Sequence, residues 1–165
     1  MGSVQHPVLG AIDPSTPGDW DGTQAFAGRS VRFTLTIDGP DVSAEVLTRL
    51  FARVEDLGAL DKAARHAILG DADSGEEYGA VLYVSHHLEV LADDELHKIF
   101  GTTDRSQLTP AVVLSRLVLV RVGLYPEDED APLLLDYSVA PEITDHLLCV
   151  RYDARGDVTD VAMES

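Results

Sequence analysis

The chain has 165 residues, 45% hydrophobic and 25% charged, a balance typical of one globular domain with a packed core. Twelve lysines and arginines against 29 aspartates and glutamates give a net charge of −17, which repels nucleic-acid phosphates and anionic membranes. No apolar run approaches the roughly 20 residues that span a bilayer, and the amino terminus lacks a secretory signal pattern. These features predict a single domain over residues 1–165 in the cytoplasm, without a nucleic-acid or membrane partner.

The first forty residues predict strands. HPVLGAID is read as one short strand that ends at the turn-rich residues 13–18. Over residues 31–37, apolar side chains alternate with arginine and threonine, the period-2 pattern of a half-buried strand. Trp20 and Phe26 are assigned to its partner strand, with a turn at residues 27–29.

The middle of the chain predicts helices. Apolar residues recur at helical spacing over residues 46–57, after an N-cap at Asp41 or Ser43. A second helix, over residues 60–69, is expected to end at Gly70 and to lead into an acidic loop. Residues 78–91 fit a strand or a helix, and their length and spacing favour a helix. A shorter helix is predicted in ADDELHKIFG, with Asp93 or Asp94 as its cap and Gly101 as its end, and another opens at Thr109–Pro110.

Four strand-like runs follow residue 117, namely LVLVRVGLY, LLLDYSV, HLLCVRY and DVTDVAM. The turn-rich stretches between them indicate an antiparallel meander. The Arg155–Gly156–Asp157 tripeptide is predicted to be one of these turns, with glycine at positive φ. The fold class is therefore α+β, with an antiparallel sheet built from N-terminal strands and a C-terminal four-strand meander, and with helices packed mainly on one face.

Several short motifs occur in order along the chain. They are H-P-x-L-G, a lone Trp before G-x-x-V-x-F-x-L, Y-x-x-H-H, R-V-G-L-Y-P, D-Y-S and a final G-x-V-x-x-x-x-x-E-S. In these motifs the chain resembles a bacterial family classified as a domain of unknown function, number two thousand and four in that series. The resemblance covers nearly the whole chain and implies no catalytic residues. Related small domains often lie near polymorphic toxin systems as immunity proteins, so the resemblance implies a protein-binding role.

The adjacent pair His86 and His87 is the first candidate site. Neighbouring residues of a helix point about 100° apart, so the pair is not expected to hold one metal ion. His87 is expected at the helix–sheet seam beside Tyr83, and His86 towards solvent. A wider cluster is an alternative that no spacing supports, drawn from His66, His87, His97 and His146 with Asp94, Asp136 and Asp145.

The C-terminal strands carry the second candidate. Alternation places Asp136 on the face opposite Leu135 and Tyr137, while Arg121 and Arg151 interrupt the flanking apolar runs. An Arg–Asp–Arg ladder across the strands follows if the three share a face. It is interpreted either as a charge ladder on the solvent face or as a surface that binds a partner or an anion.

The remaining predictions concern Cys149, a cofactor and a partner. The single Cys149 is read as a small core residue. No metal or cofactor is predicted, because nucleotide, hydrolase and calcium-loop patterns are missing. The acidic segments proposed to bind a basic protein such as a toxin consist of Asp71, Asp73, Glu76, Glu77, Glu127, Asp128, Glu129 and Asp130.

The leading hypothesis is a non-enzymatic binding domain of the immunity or antitoxin kind. The alternative is a small metal-dependent or acid/base hydrolase that uses His87 with Tyr83 and a nearby acid. A homodimer is a further possibility, and the acidic surface is equally consistent with simple solubility.

Overall fold

The computed structural model describes residues 2–165 and confirms the α+β class. The strands are β1 (Val4–His6), β2 (Gly10–Ile12), β3 (Gly18–Phe26), β4 (Arg29–Ile37), β5 (Val118–Leu124), β6 (Leu133–Ser138), β7 (Leu147–Tyr152) and β8 (Val158–Glu164). The helices are α1 (Ala44–Val54), α2 (Leu57–Ser74), α3 (Ala80–Val90), α4 (Asp93–Phe100) and α5 (Pro110–Leu114), with a 3-10 turn at Arg105–Gln107.

Six strands form one sheet in the order β3-β4-β5-β6-β7-β8, and β5–β8 are the predicted meander. All neighbours are antiparallel except β4 and β5, which are parallel. Parallel neighbours need a crossover, and the helical segment between β4 and β5 supplies it. Apolar side chains of the helices join those of the strands in one core.

The amino terminus differs from its prediction. HPVLGAID is not one strand, because the chain reverses after His6 and returns as β2, pairing His6 with Gly10. Gly10 adopts a φ of +81°, which glycine tolerates best. The β1–β2 hairpin packs beside the sheet, and the His6 ring lies against Phe33 and Phe51.

The helices largely follow their patterns, but both ends of α2 differ from the prediction. The run over residues 46–57 is broken after Val54, because Asp56 caps α2, which begins at Leu57. The Ser43 hydroxyl caps α1 by accepting a hydrogen bond from the Val46 amide at 3.2 Å. Helix α2 continues past Gly70 to Ser74 and ends at Gly75, whose φ is +73°. The first half of the predicted acidic loop is therefore helical. Residues 80–90 are helical as predicted.

Two tight turns fix neighbouring strands. Ala27 and Gly28 connect β3 to β4 with φ values of +50° and +75°, as in a two-residue hairpin turn whose central residues both have positive φ. Gly156, with a φ of +92°, lies in the turn between β7 and β8. The Arg155–Gly156–Asp157 tripeptide is thus a turn, as predicted.

Gly22 of β3 lies under the β1–β2 hairpin, and a Cβ atom there would lie 2.6 Å from the Val8 carbonyl oxygen. Gly22→Ala is expected to lower the free energy of unfolding by about 1–3 kcal/mol, because the hairpin must move. Gly70→Ala is the control, since a Cβ at this helical position meets nothing within 4 Å. It is expected to raise the free energy of unfolding by about 0.5–1 kcal/mol. Urea denaturation measures both, and shifts of the same sign would contradict this packing.

Candidate functional site

His87 lies at the seam between α3 and the sheet, as its pattern predicts. Its side chain is fully buried. Nδ1 donates a hydrogen bond to the Tyr83 carbonyl at 2.8 Å, which leaves Nε2 to accept one from the Thr144 hydroxyl at 3.1 Å. Both ring nitrogens are engaged, and burial lowers the pKa of His87 below its ordinary value. The ring is held as a neutral structural group.

The predicted solvent orientation of His86 holds only in part, because its side chain is half-buried. Its ring packs against that of His146, with centroids 4.2 Å apart and ring planes tilted by 42°, and its Nε2 atom is buried without a hydrogen-bond partner. The cause is the connection between β6 and β7, which carries His146 over this turn of α3. Three histidines therefore cluster, with His86 and His146 centroids at 5.4 and 6.1 Å from that of His87.

Tyr83 joins α3 to the end of β6. Its hydroxyl accepts a hydrogen bond from the Val139 amide at 3.0 Å, and burial raises the pKa of Tyr83. In the wider cluster considered from sequence, only His87, His146 and the adjoining Asp145 come together, and His146 Nδ1 lies 3.2 Å from an Asp145 oxygen. His66 and His97 are exposed on α2 and α4, and Asp136 pairs with Arg121 instead.

Arg121 and Asp136 form the predicted ion pair, with Nε 2.7 Å from Oδ2. A bulge at residue 120 makes this possible: Leu119 pairs with Tyr137, but the next paired residue is Arg121, opposite Asp136. The extra residue moves Arg121 to the other face of the sheet. Asp136 is fully buried, so the prediction of a ladder on the solvent face is wrong for this residue.

Arg151 does not complete the predicted ladder. The register places Arg151 opposite Leu134 on β6, while Asp136 faces Cys149. The Arg151 guanidinium pairs instead with Asp160, at 2.7 Å, and with Glu164. Two neighbouring ion-pair groups thus replace the single Arg–Asp–Arg ladder.

Cys149 lies between these two groups. Possible ligand atoms of Asp136, Cys149 and Glu164 lie within 4.8 Å of one another. Burial raises the pKa of the Cys149 thiol, and the negative charge of Asp136 adds to this effect. Arg121 pairs with Asp136 through Oδ2, and Arg151 pairs with Glu164 through Oε1, so both carboxylates already have a cationic partner. The Asp136 Oδ1 atom is buried without a hydrogen-bond partner.

A polar group on the helical side was not predicted from the sequence. The Tyr137 hydroxyl donates to Asp61 at 2.8 Å, and Asp61 also binds Arg65 of the same helix. Burial raises the pKa of the neighbouring Tyr152 to about 12, and its hydroxyl is buried without a partner. The i, i+4 spacing of Asp61 and Arg65 is the feature of the sequence that could have indicated this group.

The acidic segments divide into structural and free carboxylates. Asp71 accepts a hydrogen bond from the Ala80 amide at 2.8 Å, and Glu127 accepts one from the Asp38 amide. Asp128 accepts bonds from two amides of its own loop, both at 3.0 Å. The remaining predicted acids are exposed and form no ion pair among residues 2–165, namely Asp73, Glu76, Glu77, Glu129 and Asp130.

Comparison of the chain with protein-family models, curated proteins and solved structures gives no match. The resemblance seen in the sequence motifs therefore stays a prediction. Among residues 2–165, no helix is long and apolar enough to cross a membrane.

Arg121→Met is expected to lower the free energy of unfolding by about 3 kcal/mol, because Asp136 loses its counter-charge while it stays buried. The matched control is Arg32→Met, which removes an exposed pair with Asp21 and is expected to cost less than about 1 kcal/mol. Chemical denaturation compares the two variants. Equal losses of unfolding free energy in the two variants would show that burial of the Arg121–Asp136 pair does not increase its contribution to stability.

The lowered pKa of His87 predicts a pH-dependent stability. The unfolded chain takes up a proton near the ordinary histidine pKa of 6.5, whereas folded His87 does so only at lower pH. The stability is therefore complete above about pH 6.5 and decreases as the pH falls below it. His87→Gln is expected to reduce the slope of stability against pH between about 7.5 and 5.5.

Denaturant titrations at several pH values measure this slope. His66→Gln, at an exposed position, should leave the slope unchanged. His6, whose pKa burial also lowers, contributes to the slope that remains in His87→Gln. A slope unaffected by His87→Gln would refute the contribution of His87.

Proposed function

We propose that this chain is a non-enzymatic binding domain that captures a basic partner protein, as an immunity or antitoxin-like protein does. The observation that supports it is the exposed acidic surface. Of 29 acidic residues, Asp136 alone is buried among residues 2–165. Clefts and surfaces of one charge sign attract partners of the other sign and accelerate their association.

The few cations of the chain neutralise little of this surface. Most of the arginines pair with carboxylates of the chain itself, and Arg53 donates to two backbone carbonyls. The remaining acids carry the net charge of −17 at the surface. A protein rich in lysine and arginine complements that surface.

The loop at residues 127–130 is the best local contact. Glu127 and Asp128 use their carboxylates to hold backbone amides, so the loop has a fixed shape. Glu129 and Asp130 are then presented to solvent without an ion pair of their own. A loop ordered before binding loses less conformational entropy when it meets a partner.

The segment at residues 71–77 repeats this arrangement. Asp71 caps α3, Gly75 turns the chain, and Glu76 and Glu77 project from the turn. Two ordered acidic segments allow contacts with a basic surface at more than one point.

The hydrolase alternative gains no support from the site geometry. A general base needs a nitrogen or oxygen within reach of the substrate. Both nitrogens of His87 are engaged, and its ring is fully buried. The Tyr83 hydroxyl is likewise engaged with the Val139 amide.

The test is affinity capture by the tagged full chain from lysate of the source organism, at about 50 mM and about 500 mM salt. We expect a basic protein to be recovered at low salt and released at high salt. Co-expression with the recovered protein should then relieve its toxicity. Recovery of no basic protein at low salt would overturn the proposal.

Glu129→Gln combined with Asp130→Asn is expected to weaken the captured complex by about tenfold, since each exposed pair contributes up to about 1 kcal/mol. The control with the same change in charge is Glu89→Gln combined with Asp94→Asn, at exposed positions of α3 and α4. Surface plasmon resonance measures both dissociation constants. Equal weakening would assign the effect to net charge and not to the loop.

A further inference from the structure

We propose that the free edge of β3, together with the cavity beside it, binds an extended basic segment of the partner as an added strand. This inference rests on the proposed function and states how the partner is recognised. Strand addition to an exposed edge is a common mode of peptide recognition: backbone hydrogen bonds supply affinity, and pockets for alternate side chains supply specificity.

The edge of β3 is long and pairs with no further strand, although the β1–β2 hairpin packs on one face of it at Gly22. The strand has nine residues, lies at one end of the sheet, and pairs only with β4 among residues 2–165. Its sequence, GDWDGTQAF, contains no proline or lysine, the residues that commonly block such edges. The other end of the sheet differs, because β8 is bulged near residue 159 and its Val161 carbonyl lies against Gly79.

The hairpin turn determines which backbone groups of β3 are free. In a hairpin with a two-residue turn, the residues that flank the turn, here Phe26 and Arg29, form a hydrogen-bonded pair. Pairs alternate along an antiparallel ladder. The amides and carbonyls that point away from β4 therefore belong to Asp19, Asp21, Thr23 and Ala25.

A cavity of about 720 Å³ opens beside this edge, between the β1–β2 hairpin, α1 and β3. Its volume lies in the range of ordinary ligand sites. Thr23 and Gln24 of β3 contribute to its wall, and its apolar lining includes Val4, Val8 and Phe51. Glu55 provides the one carboxylate of that lining.

This lining selects a side chain with an apolar stem and a cationic end, as in arginine or lysine. Such side chains lay their methylene groups along apolar surface while the charge reaches a polar partner. Asp19 and Asp21 are exposed along the same edge and add negative charge there. Within the chain, Asp21 pairs with Arg32, and Asp19 accepts a hydrogen bond from the Thr36 hydroxyl. A second copy of the chain fits worse, because it carries the same net charge of −17 and is repelled at long range.

The probe is a synthetic eight-residue peptide, acetylated and amidated, that alternates valine with arginine. Its control is the same peptide with alternate backbone amides N-methylated, which keeps the charge and removes strand pairing. Fluorescence anisotropy should give a dissociation constant at least about tenfold weaker for the methylated peptide. Hydrogen exchange of the full chain should show added protection at Asp21 and Thr23.

Variants of the chain locate the contact. Thr23→Pro removes an outward amide without touching the β3–β4 ladder, and Ala52→Leu fills the cavity from α1. Each should weaken peptide binding by about tenfold, and Glu55→Gln should reduce the preference for arginine over norleucine in the peptide. Thr103→Pro, in an exposed connection outside this surface, is the control and should bind as the unmodified chain does.

Equal binding of the methylated peptide would overturn strand addition. Strand addition would also be overturned if the Thr23→Pro and Ala52→Leu variants captured the basic partner as well as the unmodified chain does. In both cases the proposed function survives. Light scattering tests whether the full chain forms dimers. Dimers that dissociate in the Thr23→Pro variant would assign the edge to a second copy and overturn the inference. Tight peptide binding without a captured partner would support the edge while the proposed function fails.

Discussion

The parallel pairing of β4 with β5 is the constraint on which the rest of the fold depends. Two parallel neighbours cannot be joined by a tight turn, so the chain between Ile37 and Val118 must cross the sheet. That crossing supplies all five helices. It also leaves β3 and β8 as the two ends of the sheet, which determines where another chain can pair.

Two polar clusters lie on the two faces of the sheet. On the helical side, Tyr83 and His87 are buried where α3 meets the β6–β7 connection. On the opposite face, Asp136 is buried beside the long side chain of Arg121. An ion pair replaces the cover that a helix would provide, and this makes the pair structurally important although it lies near the surface.

The sequence patterns predicted the elements that depend on residues close together in the chain. Periodicity gave α1, α3 and the meander, and the i, i+4 relation placed His87 beside Tyr83. Those patterns could not predict the register and the contacts between segments that lie far apart in the chain. The bulge at residue 120, the pairing of Arg151 with Asp160, and the packing of His146 against His86 depend on segments distant in sequence. The acidic segments at residues 71–77 and 127–130 lie at the surface, whereas Asp136 does not, and only the structure separates carboxylates that bind backbone amides, such as Asp71, from free ones.

The side chain of Cys149 can report local unfolding of the sheet. Cys149 is the single thiol of the chain, it is fully buried, and burial raises its pKa, so the reactive thiolate is scarce in the folded state. An alkylating reagent reaches it only when strands β6–β8 separate. The rate of alkylation in native buffer therefore reports the opening free energy of the central meander without an added label.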